Sequence, residues 1–124
     1  MGIKFLTDKG ISFLTDFGEE IKVFSERFEK ALLVYSTTKA TEIKAYMKKN
    51  RPWTDRTGEA KRRLNTSVAY EKGDDESIIT LAHGVNYGID LEMKHEGRYA
   101  ILKPTIQHFS PIIMNDLQDF FNDV

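Results

Sequence analysis

Apolar residues along this chain change their spacing several times, and those changes divide it into helical and extended stretches. Ile21, Phe24, Phe28, Ala31, Leu32, Tyr35, Ile43, Tyr46 and Met47 recur at the interval of one helix face, which predicts a helix ending at Asn50. Asp16 with Glu19 three residues later resembles a capping box, and Glu19-Glu20 place negative charge where a helix N-terminus favours it. Such a helix is roughly 45 Å long at 1.5 Å per residue and is expected to project beyond a compact body. Its polar middle, Ser36-Thr37-Thr38-Lys39, predicts a bend or a change of packing partner.

The flanking stretches read differently. Ile3-Lys4-Phe5-Leu6 and Ile11-Ser12-Phe13-Leu14, separated by Asp8-Lys9-Gly10, suggest two short extended pieces joined by a turn. A short helical turn is expected through Ala60-Lys61-Arg62-Arg63. Leu64–Tyr70 and Ser77–His83 then read as two strands of a hairpin around Lys72-Gly73-Asp74-Asp75. Tyr87–Met93 suits a short helix or a strand equally, and Tyr99–Leu102, ahead of Pro104, is expected to be extended. Ile106, Phe109, Ile113, Leu117 and Phe120/Phe121 predict a C-terminal helix opening at Pro104 or Pro111. The sum is a single α+β domain over residues 1–124: a long N-terminal helix, a small antiparallel sheet built on a hairpin, and a C-terminal helix.

Between the long helix and the hairpin lies Asn50-Arg51-Pro52-Trp53-Thr54-Asp55-Arg56-Thr57-Gly58, which holds the only tryptophan, a proline, a glycine and two arginines. Pro52 disfavours helical geometry at Arg51, Gly58 can supply a left-handed turn, and Asp55 and Thr57 can hydrogen-bond the turning backbone. Trp53 suits anchoring a loop to its own core or to another subunit.

Composition narrows the chemistry. A formal net charge of −1 gives no global field for DNA or an anionic membrane, so any nucleic-acid contact must come from a local patch. The absence of cysteine excludes disulfides, thiolate metal sites and cysteine nucleophiles, and fits synthesis in a reducing cytosol. Lys4, Asp8, Lys9 and Asp16 interrupt the N-terminal stretch, so the chain is expected to be soluble and unprocessed, with no membrane partner.

His83, His95 and His108 are the candidate bases or ligands, yet no pair has the spacing of a zinc-binding helix. His83 with Asp90 and Glu92 can imitate an acid/base cluster, the basis of a small-hydrolase reading, but a turn residue followed by a solvated helix face is the favoured alternative. No nucleophile elbow, phosphate-binding loop or dinucleotide fingerprint occurs, and Asp74-Asp75-Glu76 does not match a calcium loop. No catalytic residue, metal or cofactor is expected.

Positive charge is concentrated instead. Lys39, Lys44, Lys48, Lys49, Arg51, Arg56, Lys61, Arg62 and Arg63 outnumber Glu42, Asp55 and Glu59 in the same region. With Trp53 and Tyr46 interleaved, the Lys48-to-Arg63 region can follow a phosphate backbone, or it can pair with acidic residues of a neighbouring protein.

Three ordered blocks cover the chain from about residue 40 to 110: Asn50-Arg51-Pro52-Trp53-Thr54-Asp55-Arg56-Thr57-Gly58-Glu59-Ala60, then His83-Gly84-Val85-Asn86-Tyr87-Gly88-Ile89-Asp90-Leu91-Glu92, then Tyr99-Ala100-Ile101-Leu102-Lys103-Pro104-Thr105-Ile106. In these the sequence resembles the small neck, or head–tail joining, proteins of long-tailed double-stranded DNA bacteriophages and prophages, often labelled minor capsid or tail-completion proteins. The resemblance implies a non-enzymatic virion protein, assembled in the bacterial host cytoplasm, that forms a ring of its own copies in the neck. Connector and tail proteins are then its neighbours, with non-specific contact to packaged DNA. Lys61-Arg62-Arg63 is more basic than that pattern leads one to expect. Arg51, Trp53, Asp55, Arg56, Lys61, Arg62 and Arg63 are the candidate interface to a subunit or to DNA. Ring packing joins unlike patches, for which the basic region and the acidic Asp74-Asp75-Glu76 tip, with Asp116, Asp119 and Asp123, are candidates.

Overall fold

A computed structural model describes residues 2–7, 12–16, 26–53, 59–71, 73, 76–85, 87–93 and 95–122. In chain order the elements are β1 (Gly2–Thr7), β2 (Ser12–Asp16), α1 (Glu26–Asn50), α2 (Glu59–Arg63), β3 (Asn65–Glu71), β4 (Glu76–Ala82), α3 (Gly88–Met93), a 3₁₀ turn (His95–Gly97) and α4 (Leu102–Asn122). The α+β architecture read from the sequence holds, with long helices on either side of the β3–β4 hairpin in chain order.

The sheet is larger than that hairpin. Its four strands lie in the order β2-β1-β4-β3, and β1 pairs antiparallel with β2 but parallel with β4. Alternation decides which face is covered. Ile3 and Phe5 of β1 and Ser77, Ile79 and Leu81 of β4 are buried, whereas Lys4 and Leu6 with Ile78, Thr80 and Ala82 are only half-buried. The parallel register sets Ile3 beside Ser77 and Phe5 beside Ile79, so the buried residues of both strands share one face.

Helices α1 and α4 pack on that face, α1 across β3 and β4, and α4 beside α1 and β2. Leu32, Ala40, Ile43 and Met47 from α1 and Ile106, Phe109, Ile113 and Leu117 from α4 complete the core. Burial runs along α1 from Leu32 to Met47, so the helix lies along the body over that stretch instead of projecting from it. Its 25 residues span about 37 Å. The polar middle does not interrupt it: Ser36 is buried, while Thr38 and Thr41 donate to the carbonyls of Val34 and Thr37 one turn back. Thr66 Oγ1 donates to the Ala40 carbonyl at 2.8 Å and ties β3 to α1.

One boundary, the start of α4, differs from the sequence reading. Asp16 closes β2, opposite Gly2, and the rest of the expected capping box, with Glu19 and Glu20, falls in residues 17–25, outside the described residues. Leu102 is helical, not extended, so α4 begins two residues before Pro104 and continues through Pro111. Pro104 falls in the first turn, where its missing N–H has no helical acceptor to lose. Residues 54–58 and the tip positions Lys72, Asp74 and Asp75 also lie outside the described residues.

Candidate functional site: a buried carboxylate joining three segments

Helix α4 opens on Ile101 and Leu102, and neither offers a side-chain oxygen to cap its free backbone N–H groups. The Ile101 carbonyl already accepts from Thr105 N at 3.0 Å, which makes Ile101 the capping position. The missing acceptor comes from α3. Glu92 Oε1 accepts from Ile101 N at 2.6 Å and from Leu102 N at 2.7 Å, and it also lies 3.0 Å from His83 Nε2.

These groups are largely buried, although Glu92 also borders an open cavity of about 490 Å³. His83 is 1% exposed, and the Glu92 side chain 7% exposed. Burial raises the Glu92 carboxyl, but hydrogen bonds from His83, Leu102 and Ile101, together with the His83 charge, outweigh it and hold the group below the usual carboxylate range. His83 and Glu92 are therefore not a turn residue and a solvated helix face. They are a buried pair set against the positive end of a helix dipole.

Packing fixes the ring of His83 as tightly as bonding does. A Cβ at Gly88 would lie 2.3 Å from His83 Cβ, so the first residue of α3 has room for no side chain. Gly84, at φ +72, turns the chain immediately after His83, and a Cβ there would lie 2.6 Å from the Arg63 carbonyl oxygen. On the other side Trp53, packed against the core, places its ring 5.8 Å from that of His83. Arg63 Nη1 donates to the Gly84 carbonyl at 3.3 Å.

Three separated sequence blocks thus meet at one place, through Trp53 from the first, His83, Gly84, Gly88 and Glu92 from the second, and Ile101 and Leu102 from the third. Of the two carboxylates that the sequence sets near His83, Asp90 is exposed and Glu92 is the one that reaches it. No local motif marks Glu92, because the N–H groups it serves follow nine and ten residues later. The readable signal was indirect: a helix opening on Ile-Leu has an empty cap that some other residue must fill.

The other candidates are distributed as follows. Arg51 is half-buried, and its Nη1 donates to the Lys48 carbonyl, which closes the end of α1. Lys61, Arg62 and Arg63 are exposed on α2, close to the ends of β3 and β4. Asp55 and Arg56 lie outside the described residues. His108 is exposed and stacks on Tyr46 at 4.6 Å, away from His83. Among the described residues no three His, Asp or Glu side chains converge as a metal site would require, and no helix is long and apolar enough to cross a membrane.

No protein-family model matches the chain, and no curated protein or solved structure is significantly similar to it.

Proposed function

We propose that this protein is a structural subunit of a bacteriophage or prophage neck, assembling as a ring of its own copies between the head connector and the tail. One observation carries the reading. The three blocks that resemble head–tail joining proteins meet in a single, largely buried knot, where Glu92 spends its carboxylate on fastening α3 and β4 to the start of α4. Glu92 also lines the open cavity of about 490 Å³ with Met93, Lys103 and Gln107, but its Oε1 is taken up by three internal hydrogen bonds, which is an architectural use, whereas catalysis needs convergent groups left available to a substrate.

The charge layout supports a ring. Lys48, Lys49, Lys61, Arg62 and Arg63 belong to the last turns of α1 and α2, at the end of the sheet where β3 begins. Glu71 and Glu76 face each other in register at the opposite end, in line with Gly2 and Asp16. Unlike ends are what head-to-tail packing joins. The test is the mass of the purified protein mixed with its connector and tail neighbours. Ring-sized assemblies should form there with the original sequence and fail with Arg62→Glu/Arg63→Glu; ring formation unchanged by that exchange counts against the assignment.

The same exposed cations favour one alternative, a nucleic-acid-binding module using Lys48 to Arg63. Its signature is measurable affinity of the isolated protein for duplex DNA with a steep salt dependence.

A further inference from the structure

The outer edge of β3 has no described neighbour, and it lacks the devices by which proteins usually guard such an edge. Asn65–Glu71 pairs with β4 through seven consecutive residues without a bulge, and the strand contains no proline and no lysine. Asn65, Ser67, Ala69 and Glu71 are exposed, while Thr66, Val68 and Tyr70 are half-buried on the face that meets α1. Beside them runs an open groove of about 380 Å³ lined by Thr37, Ala40, Thr41 and Lys44 of α1 and by Thr66, Ser67 and Val68 of β3.

We propose that this edge is a self-recognition surface, and that β3 pairs antiparallel with β3 of a second copy about a two-fold axis at Val68. Two properties of the strand select this occupant. The first is charge direction. The end of the sheet where β3 starts is basic, and the end where β3 stops carries Glu71 opposite Glu76. Antiparallel pairing sets each basic end beside the partner's acidic end; parallel pairing would set like against like.

The second is register. Centring on Val68 places Val68 against itself, Ser67 against Ala69, Thr66 against Tyr70 and Asn65 against Glu71. No like charges then face each other, and the β-branched and aromatic residues fall on the face that borders the groove. The result is an eight-stranded sheet continuous across two copies. An isologous contact of this kind closes on itself. It is a property of the isolated protein and does not rest on the neck assignment.

Ser67 and Ala69 permit a test that leaves the monomer intact, because both are exposed and face each other only across the two-fold. Sedimentation of the full chain should give twice the monomer mass at about 100 µM, with weaker association in high salt. Ser67→Lys/Ala69→Lys brings like charges together and should weaken the dimer at least about tenfold. Ser67→Lys/Ala69→Glu makes opposite-charge pairs in this register and should retain it. Circular dichroism reports the fold of each variant. A monomeric original protein, a dimer indifferent to the double lysine exchange, or a folded Lys/Glu variant that fails to associate would each overturn the proposal. So would open-ended polymers, which signify edge-to-edge pairing of β3 with β2.

Discussion

Glu92 ties distant parts of the chain together, because donors from His83, just after β4, and from Ile101 and Leu102, at the start of α4, converge on one of its oxygens. Glu92→Ala leaves two backbone N–H groups and a buried imidazole without that acceptor, and should cost about 3–5 kcal/mol in urea unfolding. Glu92→Gln keeps an oxygen in place but surrenders the charge-assisted part, so a loss of about 1–3 kcal/mol is expected. The pH dependence has a definite sign. A carboxyl held below its unfolded value contributes stability that is full above the unfolded pKa, near ~4.3 for glutamate, and is lost as pH falls through the lower folded value. Acid titration of stability should therefore show a decline beginning near that unfolded value, and the Gln variant should lack the Glu92 share of it. Gly88→Ala probes the same knot by volume. With His83 Cβ only 2.3 Å from the added methyl, the ring or the start of α3 must move, at a cost of about 1–3 kcal/mol in the same assay.

The long helices show where sequence periodicity sufficed and where it did not. The apolar stripe of α1 appears in the fold as Leu32, Ile43 and Met47, and the stripe of α4 as Ile106, Phe109, Ile113 and Leu117, because a helix face in a small core must be apolar at that interval. The start of α4 was hidden because proline chemistry predicts an extended approach to Pro104, and the Glu92 cap that overrides this is a tertiary contact. The pairing of β1 with β4 was equally hidden, since parallel partners share no turn to announce them. Two substitutions test how the helices are held. Pro111 sits inside α4 on an exposed face and deprives the Gln107 carbonyl of its helical donor; Pro111→Ala should raise stability by about 1–3 kcal/mol on thermal unfolding. Tyr35 reaches from α1 to donate its hydroxyl to Asp116 of α4 at 2.6 Å, and Lys39 lies 3.5 Å from the same carboxylate. Burial and then that hydrogen bond push the Tyr35 hydroxyl well above its ordinary pKa, so it stays a donor across the neutral range. Tyr35→Phe should cost about 1–2 kcal/mol in a double-mutant cycle with Asp116→Asn, the coupling being less than the sum of the single losses.

At the scale of the whole molecule, Lys48, Lys49, Lys61, Arg62 and Arg63 gather in the last turns of α1 and α2, and Glu71 faces Glu76 where β3 stops. A near-zero net charge hides that separation, which the clustering of cations in the sequence announces and the strand register places. Contacts through these ends should weaken with salt, whereas the knot at Glu92, being largely buried, should be nearly indifferent to it; thermal stability and assembly measured over one ionic-strength series should therefore diverge. The parallel contact between β1 and β4 bears on how the chain reaches this arrangement. Gly2–Thr7 is an interior strand, yet the strand beside it is separated by roughly seventy residues, a loop whose closure must be met before the sheet contributes its core. Refolding should accordingly be slower than for a helical bundle of this size, and Phe5→Ala, which truncates the side chain set against Ile79, should chiefly accelerate unfolding if that pairing is made last.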